Sequence, residues 1–186
     1  MTRSARRSDL PGGSVHPAEI IACIESAFDG APRAETSLRQ FLLTDGDGMS
    51  GDISGRQWEA SGRQRVDSIW QQIPDVEIEA GAGLLAHMDA GEFRYYLPAY
   101  MRYAVAHPAS WESDVLGMTV SSLCPSEKNL ARRAYAIAQY AALDAAQREA
   151  VVRFLAFVAK LDDGMHAHTV HGALVAMANY WQADAA

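Results

Sequence analysis

Apolar residues recur at helical spacing along most of this chain, and this pattern constrains the fold more than any other feature. The clearest case follows Asp144 and Gln147, which form a capping-box pattern ahead of an apolar stripe. The stripe consists of Val151, Phe154, Leu155 and Val158. No segment shows a strand-like alternation of comparable strength. We therefore predict an all-α fold, a single compact domain of roughly seven or eight helices.

Prolines and glycines indicate where helices in the first part of the chain begin and end. They predict a helix over Pro17–Asp29, a shorter helix over Thr36–Leu43, and a glycine-rich loop over Asp45–Arg56. Because proline suits the first turn of a helix, Pro98 is expected to begin a helix that runs to about His107.

Three further helices are expected in the second half. One covers Val115–Leu123, and the next is expected to be capped by Ser126. That capped helix is predicted to have Ala134, Ile137 and Ala138 on one side. The last helix is predicted to bury Val170, Leu174, Met177 and Trp181.

The N-terminal segment differs in composition from the rest. Residues 1–14 are rich in Arg, Ser, Gly and Pro, and no apolar stretch follows the basic residues, so they do not resemble a secretory signal. We predict a disordered tail over residues 1–14 and one helical domain over residues 15–186. No apolar run approaches the ~20 residues that cross a bilayer. The sequence thus predicts a soluble, cytoplasmic protein that binds no membrane.

The net charge of the chain indicates which classes of macromolecule it could bind. The formal net charge is −7, which argues against nucleic acid because phosphate binding needs a basic surface. An acidic protein can instead be steered toward a basic protein partner, such as a toxin. Cys23 and Cys124 are too few for a disulfide scaffold and are expected to be reduced. The oligomeric state stays open.

Histidines near the C terminus raise the question of a metal site. His168 and His171 would be neighbours on a helix, with His166 close by and Asp162 and Asp163 just before. The cluster lies at a predicted helix start, where polar residues are ordinary, and H-E-x-x-H is absent. We predict no metal here, and His168 and His171 are the candidate pair if one binds.

The glycine-rich loop also contains a formal G-x-G-x-x-G pattern at Gly46, Gly48 and Gly51. Its aspartates would repel phosphates, and no strand precedes it, so a nucleotide site is not indicated. An EF-hand starting at Asp45 would need a liganding residue at Met49, a glycine at Ser50 and a glutamate at Arg56, and all three fail. A looser cation site in the Asp45–Asp52 loop stays open. No residue is predicted to be catalytic, and no cofactor is expected.

One aromatic segment is the most distinctive in the chain. Arg94, Tyr95, Tyr96 and Tyr100 cluster tightly in sequence, and Tyr and Arg often dominate binding interfaces. The alternative, which we favour, is a buried arginine paired with a carboxylate and held by packed tyrosines. In that case Arg94→Ala would leave a buried charge unpaired and cost about 3 kcal/mol.

The segment Phe93-Arg94-Tyr95-Tyr96-Leu97-Pro98-Ala99-Tyr100-Met101 resembles the signature of an uncharacterised bacterial family, a domain of unknown function with an F-R-Y-Y-L-P-A-Y core. Looser matches extend over most of the chain at Ile20, Trp70, Pro74, Gln147, Val151, Phe154 and Leu155. The resemblance implies no catalytic residue. It is compatible with an immunity protein, since some small acidic bacterial proteins of this general sort neutralise toxins.

Two functions therefore remain as hypotheses. The first is a non-enzymatic protein-binding module, in particular an immunity protein that neutralises a toxin, and it depends on the acidic charge and the resemblance. The alternative is a small enzyme, metal-dependent or otherwise, whose reaction the sequence does not indicate.

Overall fold

A long helix that is buried on almost every side organises the structure. The computed structural model describes residues 16–47, 53–109, 113–161, 164 and 166–182. Its α-helices are α1 (Pro17–Ala27), α2 (Leu38–Asp47), α3 (Gly55–Arg63), α4 (Asp75–Ala80), α5 (Ala90–Ala106), α6 (Val115–Ser122), α7 (Leu130–Ala141), α8 (Ala145–Val158) and α9 (Ala167–Ala176). Short 3₁₀ turns cover Trp70–Gln72 and Leu84–His87, and a π-helical turn covers Met177–Trp181. No strand occurs in this described part, which confirms the predicted all-α single domain.

The central helix is α5. A capping box begins it: the Asp89 carboxylate accepts from the Glu92 N–H, and the Glu92 carboxylate accepts from the Asp89 N–H. Both backbone N–H groups, which have no partner within the helix, are thereby satisfied. The helix packs against α1, α4, α6 and α7. A helix covered by neighbours in this way is apolar around its circumference. Its buried residues accordingly include Phe93, Leu97, Met101, Ala104 and Val105.

The predicted helix start at Pro98 is wrong. The capping box at Asp89 begins α5 earlier, and Pro98 lies in its interior. A proline there has no N–H to donate to the Arg94 carbonyl, and such a position costs a helix about 3 kcal/mol or more. Burial of the helix on nearly all sides offsets that cost, since each large apolar side chain contributes roughly 1.5–3 kcal/mol.

Helix α8 follows the sequence closely. Asp144 accepts from the Gln147 N–H and the Gln147 side chain accepts from the Asp144 N–H, which confirms the predicted capping box. The stripe Val151, Phe154, Leu155 and Val158 is fully buried, as predicted. On the exposed side, Arg153 Nε donates to Glu149 Oε1 at 2.9 Å. This helix packs against α1 and α9.

Helix α7 begins later than predicted. Its cap is Asn129, which accepts from the Arg132 N–H, while Ser126 only accepts from the Asn129 N–H one step earlier. The side that carries Ala134, Ile137 and Ala138 does not face the core, because Ala134 and Ala138 are exposed and Ile137 is only partly buried. The buried side is formed by Gln139 and Tyr140, and a buried glutamine is not visible to an analysis of apolar spacing.

The last helix turns a different face to the core than predicted. Met177 and Trp181 are buried as expected, but Leu174 is 50% exposed. Helix α9 meets α6 through small residues, and a Cβ on Gly172 would lie 3.3 Å from Val120 Cγ1. Close approach along Gly172, Ala173 and Ala176 therefore directs Leu174 outward.

The N-terminal elements agree with the predictions in part. Helix α1 begins at Pro17 as predicted, and Gly30 takes the left-handed conformation just after it. The predicted loop Asp45–Arg56 is too long, because α2 continues to Asp47 and α3 begins at Gly55 behind a Ser54–Gln57 capping box. Residues 48–52 and the predicted tail, residues 1–14, lie outside the described residues. None of the described helices is both long and apolar enough to cross a membrane.

Truncation of a buried and of an exposed side chain in the C-terminal helices should affect the free energy of unfolding very differently. Phe154→Ala removes a fully buried ring and should lower the free energy of unfolding by about 3–5 kcal/mol. Leu174→Ala removes an exposed side chain and should change it by less than about 0.5 kcal/mol. Urea denaturation of both variants measures the difference, and equal losses would contradict the packing of α9 described above.

Candidate functional site

The tyrosines of the F-R-Y-Y-L-P-A-Y segment point into the core. Tyr95, Tyr96 and Tyr100 are each 0% exposed. Their hydroxyls donate to three separate segments: Tyr95 to Asp67 Oδ2 at 2.6 Å, Tyr96 to the Thr36 carbonyl at 2.8 Å, and Tyr100 to the Gly81 carbonyl at 2.6 Å. Burial raises the pKa of all three phenols. They therefore stay protonated donors, and none of them presents a surface to a partner.

A buried ion pair lies beside this cluster. Arg65 Nη2 and Asp67 Oδ2 are 2.7 Å apart, with side chains 7% and 2% exposed. Burial by itself would raise the pKa of Asp67, but the hydrogen bonds from Arg65 and Tyr95 and the charge of Arg65 outweigh it and hold that pKa below its ordinary value. The same guanidinium donates to the Ala34 carbonyl at 2.5 Å. One ion pair thus joins three segments of chain.

Arg94 does not occupy the buried position expected for it. Its side chain is 32% exposed, and it donates to Gln147 Oε1 at 3.1 Å and to the half-exposed Asp144 Oδ2 at 3.5 Å. It therefore links α5 to the capping box of α8. The paired, buried arginine of the hypothesis exists, but it is Arg65. Sequence reasoning missed it because Arg65 and Asp67 show no local motif and meet Tyr95 only through the fold.

The bond to the Gly81 carbonyl depends on a close approach. A Cβ on Gly81 would lie 2.7 Å from Leu84 Cδ1 and 3.0 Å from Tyr100 Oη. Real Cβ atoms avoid such distances, so only glycine fits without displacing a buried group. This turn connects α4, which lines a surface groove, to the Leu84–His87 turn, which lines a larger cleft.

The candidate metal residues lie on the surface of the protein. His168 and His171 are both exposed on α9. Across the described residues, no three His, Cys, Asp or Glu side chains come close enough to hold a metal ion. Asp162, Asp163 and most of the Asp45–Asp52 loop fall outside the described residues, so a cation site there stays a hypothesis.

A shallow groove runs between α2, α3 and α4. Its volume is about 430 Å³, and it is lined by Arg39, Leu42, Leu43, Ser61, Gln64, Val76, Glu77 and Ala80. Val76 is 68% exposed. Arg39 Nε donates to Glu77 Oε1 at 2.5 Å, so these two charges neutralise each other within the groove. The groove therefore combines apolar walls with a balanced pair of charges.

A larger cleft lies between the Leu84–His87 turn, the end of α6 and α7. Its volume is about 820 Å³, within the range of small-molecule sites. It is lined by Ala86, His87, Ser121, Ser122, Cys124, Ser126, Ala131, Arg132, Tyr135, Ala136 and Gln139. None of these lining residues is acidic. Sequence reasoning did not assemble this set because its members come from the Leu84–His87 turn, α6, the connection after α6 and α7, which only the fold brings together.

Hydrogen bonds fix the walls of this cleft. Gln139 Nε2 donates to the carbonyls of Leu85 and Met88, and Tyr135 also donates to Met88, which ties α7 to the Leu84–His87 turn. The hydroxyl of Tyr140 donates to the Ser122 carbonyl at 2.7 Å and ties α7 to α6. Backbone and side chain thus hold the three walls in one arrangement.

Two exposed side chains on the lining of the cleft, Arg132 and His87, are free to contact a ligand. Within the described part of the chain, the Arg132 guanidinium and the His87 imidazole have no hydrogen-bond or ion-pair partner. Burial, with a smaller contribution from Glu127, raises the pKa of Cys124. The thiol therefore stays neutral and adds no negative charge to the cleft. It is correspondingly a poor nucleophile, because the thiolate is the reactive form.

The two arginines should differ sharply in their effect on stability. Arg65→Ala leaves the buried Asp67 with only the hydrogen bond from Tyr95 and a 3.9 Å contact to the half-exposed Arg33, and it should lower the free energy of unfolding by about 3–5 kcal/mol. Arg94→Ala loses a half-exposed contact and should cost no more than about 1 kcal/mol. Chemical denaturation compares them directly. A loss from Arg94→Ala as large as that from Arg65→Ala would contradict these assignments.

The ion pair also predicts a pH dependence. The folded state holds the pKa of Asp67 below its ordinary value. As the pH falls, Asp67 is therefore protonated first in the unfolded chain, at about pH 4. The resulting stabilisation is present above that pH and is lost as the pH falls toward the folded pKa. Denaturation at a series of pH values should show a steeper acid loss for the wild type than for Asp67→Asn. Equal slopes would contradict the direction of the shift.

Comparisons with known proteins add one assignment. No curated protein and no solved structure matches the chain. A family of unknown function, DUF6714, matches residues 16–185, which confirms the expectation of an uncharacterised family. Because the match spans nearly the whole chain, the protein is a member of this family of unknown function, DUF6714.

Proposed function

We propose that the protein is a non-enzymatic binding module that recognises a basic protein partner, in particular a toxin that it neutralises, through the groove between α2, α3 and α4. The observation that carries the proposal is the exposure of Val76, an aliphatic side chain that is 68% exposed on the wall of this groove. Leu42 and Leu43 line the same groove and extend its apolar surface. Exposed apolar side chains beside a groove are typical of sites where another protein inserts an anchor residue.

The charge around the groove favours a basic partner. Asp75 and Glu79 are exposed one helical turn apart on α4, next to the Val76 and Ala80 stripe. The groove's own Arg39 is already neutralised by Glu77. A basic segment with one apolar anchor would therefore meet an apolar surface with an acidic border. The net charge of −7 would also steer such a partner toward the protein and speed its association.

The chemistry of the core supports binding over catalysis. The phenols of Tyr95, Tyr96 and Tyr100 are occupied in internal hydrogen bonds. The buried ion pair of Arg65 and Asp67 is surrounded by packed residues, and Arg65 also donates to the Ala34 carbonyl. Such groups stabilise a scaffold, and their perturbed pKa values follow from structural packing.

Capture from a lysate of the source organism tests the proposal. The immobilised wild-type chain should retain a basic protein that Val76→Arg does not, because the substitution places a charge in the apolar groove and repels a basic partner. With the purified partner, Val76→Arg should weaken binding by about tenfold or more, equivalent to about 1.4 kcal/mol. Added salt should weaken the wild-type complex, mainly through slower association.

Leu174→Arg is the matched control. It introduces the same charge at an exposed leucine on α9 and should leave the binding of the partner unchanged. Equal capture by the wild type and both variants would refute the groove as the binding surface. The immunity role has its own readout, since co-expression of the wild type, but not of Val76→Arg, should relieve growth inhibition by the captured partner.

A further inference from the structure

We infer that the cleft between the Leu84–His87 turn, α6 and α7 binds a small organic anion, whose carboxylate or phosphate group is held by Arg132 and His87. This cleft shares no lining residue with the groove between α2, α3 and α4. The inference therefore stands or falls independently of the proposed protein partner.

The first argument is the contrast between this cleft and the rest of the molecule. In a chain of net charge −7, a cleft with a guanidinium and an imidazole but no carboxylate on its lining is unexpected. Most of the described arginines are engaged, as Arg65 is with Asp67 and Arg153 with Glu149, and of the three that have no hydrogen-bond or ion-pair partner (Arg56, Arg132 and Arg133) only Arg132 lines this cleft. Within the described residues Arg132 has no such partner, although it lines a cavity large enough for a ligand.

The second argument is the chemistry of the lining. A guanidinium presents paired N–H donors that match the two oxygens of a carboxylate or phosphate. The hydroxyls of Ser121 and Ser126 lie on the same lining and add neutral donors. Ala131 and Ala136 form an apolar wall, and the ring of Tyr135 is 45% exposed beside them. This combination fits an anionic group attached to a small apolar or aromatic body.

The third argument is preorganisation. Gln139 spends both amide hydrogens on the carbonyls of Leu85 and Met88, and Tyr140 holds the end of α6. The walls therefore need little ordering when a ligand enters, which lowers the entropic cost of binding. Asn129 caps α7 by accepting from the Arg132 N–H, so this backbone donor is already satisfied and the Arg132 guanidinium remains to bind the anion.

Titration of the full chain with benzoate, phenyl phosphate and benzamide tests the inference, with amide chemical shifts as the readout. Benzoate, phenyl phosphate or both should shift the amides of Ala131, Tyr135 and Gln139 in a saturable way. Benzamide has nearly the shape of benzoate without its charge, and it should bind at least about tenfold more weakly. Arg132→Gln should weaken the binding of the anion by about tenfold or more.

Arg133→Gln is the matched control, because Arg133 is the neighbouring residue on α7 and does not line the cleft. It should change the affinity for the anion by no more than about twofold. Binding of benzoate alone assigns a carboxylate ligand, and binding of phenyl phosphate alone assigns a phosphate ester. The inference is overturned if neither anion shifts the signals of these amides at ligand concentrations up to about 10 mM. It is also overturned if benzamide binds as well as benzoate, or if both arginine variants lose affinity equally.

Discussion

The buried phenol groups of α5 require hydrogen-bond acceptors that the helix itself does not provide. The surrounding segments that supply these acceptors are held in position by the resulting hydrogen bonds. A buried hydroxyl without a partner costs about 1–3 kcal/mol, and α5 buries Tyr95, Tyr96 and Tyr100 completely. Each phenol reaches a different segment, at Asp67, at the Thr36 carbonyl and at the Gly81 carbonyl. Three irregular segments are thereby fixed against one helix, and Arg65 completes the arrangement by neutralising Asp67. The borders of the groove and of the cleft depend on these same segments.

The parts of the fold that the sequence predicts are those that local rules determine. The capping box at Asp144 and the apolar stripe of α8 need only neighbours along the helix, and both are present. The start of α5 was missed because Pro98 favours a first turn, whereas packing on all sides tolerates it in the interior. The ion pair of Arg65 with Asp67 and the cleft around Arg132 are contacts between distant segments, and apolar periodicity carries no information about them.

Net charge proved a poor guide to local surface chemistry. The chain as a whole is acidic, and α4 follows that average with Asp75 and Glu79 exposed. The cleft beside α7 does the opposite, because its lining carries Arg132 and His87 and no carboxylate. Formal charge describes long-range steering, whereas a site is defined by the few groups within hydrogen-bond reach of a ligand. The net charge of a chain therefore does not fix the charge of each part of its surface.

The contact between Gly81 and Tyr100 has an evolutionary consequence. A side chain at position 81 would collide with the phenol oxygen and with Leu84, while loss of the phenol would leave the Gly81 carbonyl without its donor. Neither residue can change alone without a loss of stability, so the two positions should vary together among members of the family. Where a relative carries phenylalanine at position 100, the contact at Oη disappears and the constraint on position 81 relaxes in part, because a Cβ there would still lie 2.7 Å from Leu84 Cδ1 and 3.1 Å from the Glu77 carbonyl oxygen.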